Sequence, residues 1–218
     1  MFGKNPIRPP EKGDGTSLKV QSIFLTIQGE GPYTGYPALF IRLGGCNLAC
    51  SFCDTEFEEF TEKTVEEIVD EAKNLTKDTK CSLVVITGGE PFRQPIELLC
   101  KKLIAENYKI QIESNGTLYQ EIPDEVEVVC SPKIVNGKYH TIRQDVEKHI
   151  VAYKFLVSKS LNGYDNIPNW DFAKKVYVQP IDEYDEKMNV ENNKLAMEIA
   201  TRTGYIFSVQ IHKFVGIE

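Results

Sequence analysis

The run GGCNLACSFCDT, residues 44–55, sets Cys46, Cys50 and Cys53 with three and then two residues between them, directly behind an apolar stretch at 38–43 that reads as a β-strand. Three clustered thiolates suit a metal centre, and three is one short of the closed four-ligand set of structural zinc. No second CxxC or HxxxH pattern completes such a set, because His140, His149 and His212 are scattered. A cubane iron–sulfur cluster held by three cysteines leaves one iron without a protein ligand. That iron can bind another molecule, so the spacing points to reactivity rather than bracing. Free thiols this close would be oxidation liabilities without such a role.

Reading outward, strands alternate with helices. Strands are expected at 18–27, 38–43, 82–86, 108–112, 126–129, 152–157, 176–178 and 206–211, with helices at 64–75, 95–106 and 191–203. The first helix opens on a capping-box pattern, Thr64 with Glu67, and places Val65, Ile68, Val69, Ala72 and Leu75 on one face. Such alternation predicts an α/β fold with a mostly parallel sheet. The polar loops TGGEP (87–91), ESNG (113–116), SPK (131–133) and QPID (179–182) each follow a strand. In barrel-type α/β folds, sites gather at that edge. A complete eightfold barrel takes about 250 residues. This chain has 218, with about six such strands after the cysteines begin, so an incomplete, modified (β/α) partial barrel is expected.

Composition narrows the class. An apolar fraction of 41% is ordinary for a globular domain with a core. No apolar run reaches the length of a membrane span, and the first residues lack the apolar stretch of a secretory signal. The expectation is a cytoplasmic protein with no membrane association. A net charge of −7 disfavours broad nucleic-acid binding. Residues 1–17 read as a polar lead-in and 18–218 as one domain. Cys81, Cys100 and Cys130 stand apart in apolar contexts and read as buried small hydrophobes.

The cysteine spacing together with TGGEP resembles the radical S-adenosylmethionine (SAM) superfamily. The resemblance implies a 4Fe–4S cluster on Cys46, Cys50 and Cys53, with SAM on the open iron. It implies a 5′-deoxyadenosyl radical as the reactive species, so the cofactors carry the chemistry and no side chain is expected to be catalytic. Gly88 and Gly89 would let backbone approach a ligand closely. Phe52 would offer its ring near the adenine. Glu90, Glu113, Ser114, Ser131, Pro132 and Lys133 would line the SAM site at successive strand ends.

The segment FLTIQGEGPYTGYPALFIRLGGCNLACSFCDT (24–55) and the ending SVQIHKFVGIE (208–218) resemble the 7-carboxy-7-deazaguanine synthase family. That resemblance covers nearly the whole chain after about Leu18. It implies ring contraction of 6-carboxy-5,6,7,8-tetrahydropterin to 7-carboxy-7-deazaguanine with loss of ammonia, in queuosine and related 7-deazapurine biosynthesis. It also implies a homodimer, a Mg²⁺ ion and an external electron donor of flavodoxin type. Carried over residue by residue, Ile27, Gln28, Gly29 and Glu30 would contact the pterin, as would Thr87. A carboxylate at Glu30 matches paired N–H donors. Arg42 would take the substrate carboxylate in its planar fork. Gly89, Ser131, Lys133 and Gln179 would surround SAM, with Phe52, Cys53 and Asp54 flanking it. Thr55 would give Mg²⁺ a hydroxyl, in keeping with a hard cation that favours oxygen. The family often ends in proline, whose terminal carboxylate lies near the substrate. Here Glu218 stands at that place, and its backbone carboxylate is a candidate contact.

Two other readings fit parts of the pattern. A glycyl-radical-enzyme activase shares the cysteine spacing and a GGEP-like loop, but calls for neither QGEG nor Arg42. A non-catalytic iron–sulfur or zinc protein predicts a closed four-ligand site.

Overall fold

The computed structural model describes residues 5–135 and 137–217; Glu218 lies outside them. The chain runs β1 (Ser17–Ile27), β2 (Pro37–Leu43), β3 (Thr61–Thr64), α1 (Val65–Thr76), β4 (Leu83–Gly88), α2 (Glu97–Ala105), β5 (Lys109–Ser114), β6 (Glu127–Cys130) and a small hairpin, β7 (Ile134–Val135) with β8 (Lys138–Tyr139). There follow α3 (Gln144–Glu147), β9 (Ile150–Val157), β10 (Lys175–Pro180), α4 (Glu186–Thr203), β11 (Ile206–Phe207) and α5 (Ile211–Val215). Nine strands form one sheet in the order β11-β10-β9-β6-β5-β4-β2-β1-β3. From β2 to β11 neighbours are parallel, and β1 joins β2 and β3 antiparallel. The edges β11 and β3 do not pair among the described residues, so the sheet is an open partial barrel.

Strand periodicity decides what each face does. Successive side chains point to opposite sides. Leu39, Ile41 and Leu43 of β2, Val84 and Ile86 of β4, and Ile110 and Ile112 of β5 are buried with α1 and α2 in the main core. Phe155, Val157, Val176 and Val178 of β9 and β10 pack with Leu195, Ala196 and Ile199 of α4 in a second core. The alternate residues, Phe40, Arg42, Thr87, Glu113, Lys154, Leu156 and Gln179, line a cavity on the other side. One alternation therefore builds the core and the site together.

The capping box forms as expected: Glu67 N donates to Thr64 Oγ1 at 3.2 Å, and Thr64 N to the Glu67 carboxylate at 2.8 Å. Such a cap contributes about 1 kcal/mol. On the same helix, however, Leu75 is exposed and Thr76 is buried, its hydroxyl bonded to Ala72 O. Cys81, Cys100 and Cys130 are free and lie in the main core.

The structure departs from the sequence reading in several elements, the short helix α3 among them. The expected strand at 206–211 is β11 alone, followed by helix α5. Ser208 N makes the last bond to β10, at Val178 O, and Ile211 N then donates to Gly29 O, so a distant loop turns the chain away. Helix α4 starts five residues early, where Asp185 accepts from Met188 N and caps it. Strand β3 is polar, with no alternation to announce it, and exists through pairing with β1. The β7–β8 hairpin follows SPK, where only a loop was expected.

Candidate active site

A cavity of about 510 Å³ opens at the C-terminal ends of the parallel strands, within the range usual for small-molecule sites. The cysteine loop forms one wall. Cys46, Cys50 and Cys53 all line the cavity and pack around Leu48 and Phe57. Burial pushes the Cys46 thiol up to about 12, and Glu90 adds to it. Burial raises Cys50 and Cys53 as well. A bound metal would reverse this, since coordination removes the thiol proton outright. Among the described residues no three His, Cys, Asp or Glu side chains sit as a single-ion site. The three thiols share one wall, and a three-cysteine set suits an iron–sulfur cluster better than the four-ligand site of structural zinc.

The loop is braced from behind. Cys46 O accepts from Arg8 N at 2.7 Å, and Ile7 forms a bridge with Cys46. Arg93, 2% exposed, donates to Gly44 O at 3.0 Å, to Pro9 O at 2.9 Å and to Glu11 Oε1 at 2.6 Å. The N-terminal segment thus straps the cluster loop to the TGGEP turn.

The glycines of TGGEP serve the fold rather than a ligand surface alone. Gly88 adopts φ +120°, and a side chain there would collide with Leu43 O; one at Gly89 would collide with Gly45 O. Gly89 N and Glu90 N each bond this neighbouring backbone at 3.1 Å, to Leu43 O and Gly45 O. Glu90 itself is buried and turned into the protein. Its carboxylate accepts from Ser114 Oγ at 2.8 Å, Asn115 N at 2.8 Å and Phe92 N at 3.1 Å. Burial carries it up to about 7, against the pull of those hydrogen bonds. It stitches ESNG to TGGEP, while Gly88, Gly89, Ser114 and Asn115 face the cavity.

Another part of the cavity lining is charged. Lys154 of β9 forms ion pairs with Glu30, and with Glu113 at 2.9 Å. Gln28 Nε2 donates to Glu113 at 3.0 Å, and Gln210 Nε2 to Glu30 at 2.8 Å. Burial pushes Glu30 upward, but the charge and hydrogen bond of Lys154 outweigh it and hold the carboxyl well below its usual range. Gly29 lies under this part and contributes space: a side chain would collide with the His212 ring, and Gly29 O receives Ile211 N. Lys213 then ties α5 to Asp54 at 2.8 Å and to Asp182 at 3.0 Å. The C-terminal segment therefore closes one side, with Gln210, His212, Lys213 and Ile217 in the lining.

The remaining candidates fall along the walls. Ile27, Gln28, Glu30, Arg42 and Thr87 belong to the lining, with the Arg42 guanidinium 4.8 Å over the Phe24 ring. Phe52, Asp54 and Thr55 lie beside the cysteines; Phe52 packs edge-on against Tyr164, with ring centroids 5.1 Å apart. Lys133 Nζ donates to Ser131 O and Oγ, both at 2.7 Å. Gln179 accepts from Ser208 at 3.2 Å. Gly29, Glu90 and Pro132 are not in the lining, unlike the other described candidates. Lys154, His212 and Gln210 were missed by sequence reasoning. Lys154 sits in an otherwise apolar strand run, IVAYKFLV, and that lone cation was the available signal.

The radical SAM superfamily model matches residues 40–166. The 7-carboxy-7-deazaguanine synthase of Rickettsia prowazekii is 52% identical over all of this chain and 96% of that protein. The one from Rhodospirillum rubrum is 35% identical over the full length of both. The crystal structure of QueE from Escherichia coli superposes with a TM-score of 0.73 at 24% identity, covering 89% of this chain and 94% of that one, and shares its fold. An open parallel sheet, a three-cysteine loop at its C-terminal edge and full-length similarity of this order place the chain in the 7-carboxy-7-deazaguanine synthase family of the radical SAM superfamily.

Proposed function

We propose that the protein converts 6-carboxy-5,6,7,8-tetrahydropterin to 7-carboxy-7-deazaguanine and ammonia, feeding 7-deazapurine synthesis. One observation carries the reading beyond family membership. The cavity joins a three-thiol wall to a charged part lined by Glu30, Glu113 and Arg42, so the residues for a radical source and for docking a charged substrate share one cavity. A glycyl-radical activase needs access for a protein loop, not this small polar part.

Cys46, Cys50 and Cys53 would hold a 4Fe–4S cluster. Gly89, Ser114, Ser131, Lys133 and Gln179 would surround SAM, with Phe52 and Asp54 beside it; Glu113, expected at SAM from the sequence, would turn its carboxylate to the substrate through Gln28 and Lys154. Glu90 and Pro132 would act from behind the lining, Glu90 by holding Ser114 and the Asn115 backbone. Cluster and SAM together supply a carbon radical able to take a hydrogen atom from an unactivated carbon.

The chain's own residues position the substrate. Glu30 and Gln28 would meet the pyrimidine edge, with Ile27 and Thr87 along the ring. Gly29 would help by setting the position of its neighbours. Arg42 would bind the carboxylate through its planar fork, and Glu218 is a further candidate contact to the substrate. Thr55 would give a hydroxyl to Mg²⁺. The Lys213 contacts and the apolar lining, Phe24, Phe40, Leu156 and Ile181, would keep water out.

The wider setting is proposed likewise: a homodimer in the cytoplasm, one catalytic domain over 18–218 with 1–17 as lead-in, and a flavodoxin-like reductant. No helix among the described residues is long and apolar enough to cross a membrane. The deciding experiment is turnover by reconstituted enzyme with SAM, Mg²⁺, reductant and the carboxylated tetrahydropterin. The deazaguanine acid is expected, and deuterium at C6 should appear in 5′-deoxyadenosine. SAM cleavage without deazaguanine would sink this reading.

A further inference from the structure

Lys154 is 4% exposed, yet its ammonium reaches the cavity wall and is shared between Glu30 and Glu113. A buried lysine is balanced by one carboxylate. Here two face it, so the one ammonium is divided between two carboxylates. Uncompensated buried charge is costly unless further donors meet it. Gln28 and Gln111 donate to Glu113 and Gln210 to Glu30, and the lone pairs that remain can take donors from a ligand.

A 2-amino-4-oxopyrimidine edge presents adjacent N–H donors and suits a pair of carboxylates. We propose that Lys154 is a positioning and specificity-determining residue: by standing between Glu30 and Glu113 it keeps both as acceptors aimed at a 2-amino-pyrimidine edge, so that 2-oxo analogues are rejected. The inference rests on the pterin reading given above. Its chemistry follows from a general asymmetry: a site built to accept hydrogen bonds strongly rejects an analogue lacking the donor, because buried acceptors are then left unpaired.

Lys154 is the cation that ion-pairs with both carboxylates, and the Arg42 guanidinium lines the same cavity. Lys154 faces Glu30 from the loop after β1 and Glu113 from β5. Lys133 from the loop after β6 and His212 from α5 also sense it, and burial shifts both toward their neutral forms. Without Lys154, the two carboxylates would lose the cation between them, and like charges in one site favour holding a proton. A carboxylic acid can donate as well as accept, so selectivity would relax.

The test uses cluster-loaded wild type, Lys154→Met, Lys154→Arg and the double variant Lys154→Met/Glu113→Gln. Turnover of the carboxylated tetrahydropterin and its anaerobic binding by calorimetry are measured from pH 6.5 to 8.5, beside a 2-oxo analogue. Lys154→Met should raise KM at least tenfold at pH 7, with KM falling as pH rises and that proton leaves. Its preference for the 2-amino compound should narrow at least tenfold. Lys154→Arg should keep a flat KM profile and the preference. The double variant, relieved of one carboxylate, should fold, bind weakly and show no pH dependence in KM. A folded Lys154→Met enzyme with wild-type KM and wild-type preference overturns the inference. If that variant does not fold, the double variant decides, and wild-type binding and preference in it overturn the inference. If the wild type itself neither binds nor converts the pterin, it is the functional reading that falls.

Discussion

Arg93 and Gly44 meet behind the cluster loop: the buried guanidinium donates to the Gly44 carbonyl at 3.0 Å, two residues before the first cysteine. The same group holds Glu11 and Pro9, so the N-terminal segment and the cysteine loop share one anchor. Arg93→Met should cost about 3 kcal/mol, since it strands the partners of a buried charge. The checks are urea unfolding and the rate of iron loss to a chelator. Unchanged iron retention would show that the anchor does not brace the cluster loop.

Gly29→Ala puts a methyl group into the His212 ring. Overpacking of this kind costs about 1–3 kcal/mol. The strain should release the C-terminal segment rather than the core, because α5 is held there by few contacts. Hydrogen exchange over residues 205–217 should rise, and KM for the pterin should rise with it.

Glu90 ties pH to stability. Burial raises its folded-state value from 4.5 to about 7, so the folded chain binds the extra proton between those limits. Stability is therefore highest below about pH 4.5 as far as this group is concerned, and falls as pH climbs to about 7. The drop is of order 3 kcal/mol at about 1.4 kcal/mol per unit. Glu90→Gln should flatten that slope and lose about 1 kcal/mol with one hydrogen bond to the neighbouring loop. Urea titrations at pH 5, 6, 7 and 8 compare the two slopes.

The Lys213 contacts with Asp54 and Asp182 bridge α5 to loops on both sides of the cavity. These groups are part-exposed, so Lys213→Ala should cost less than about 1 kcal/mol in stability. Its expected effect is on closure. KM for SAM should rise severalfold, and raising salt should bring wild type toward the variant.

The six cysteines should divide cleanly. Ala at Cys46, Cys50 or Cys53 should abolish turnover and lower bound iron with little change in fold. Cys100→Ala should leave iron content intact and cost about 1 kcal/mol as a small core deletion. Iron analysis after anaerobic purification checks both halves.

The residue order alone determined much of this. The cysteine spacing, the strand-end loops and the two-residue alternation of Leu39, Ile41 and Leu43 against Phe40 and Arg42 are local patterns, legible because the chemistry of a strand repeats at fixed intervals. The gathering of TGGEP, ESNG, SPK and QPID at one edge followed from parallel strands, whereas QGEG follows the antiparallel β1 and joins the cavity only through the fold. Tertiary structure decided the rest. Glu90 looks like a ligand residue in TGGEP, but the Asn115 backbone and Ser114 draw it inward. Ile211 continues an apolar run, but Gly29 pulls it out of the strand. Lys154 reads as one polar residue in a buried strand, and its meaning appears only when Glu30 and Glu113, 124 and 41 residues away, meet it. Long-range charge pairing and chain closure leave no periodic trace, because the partners are brought together only by the fold.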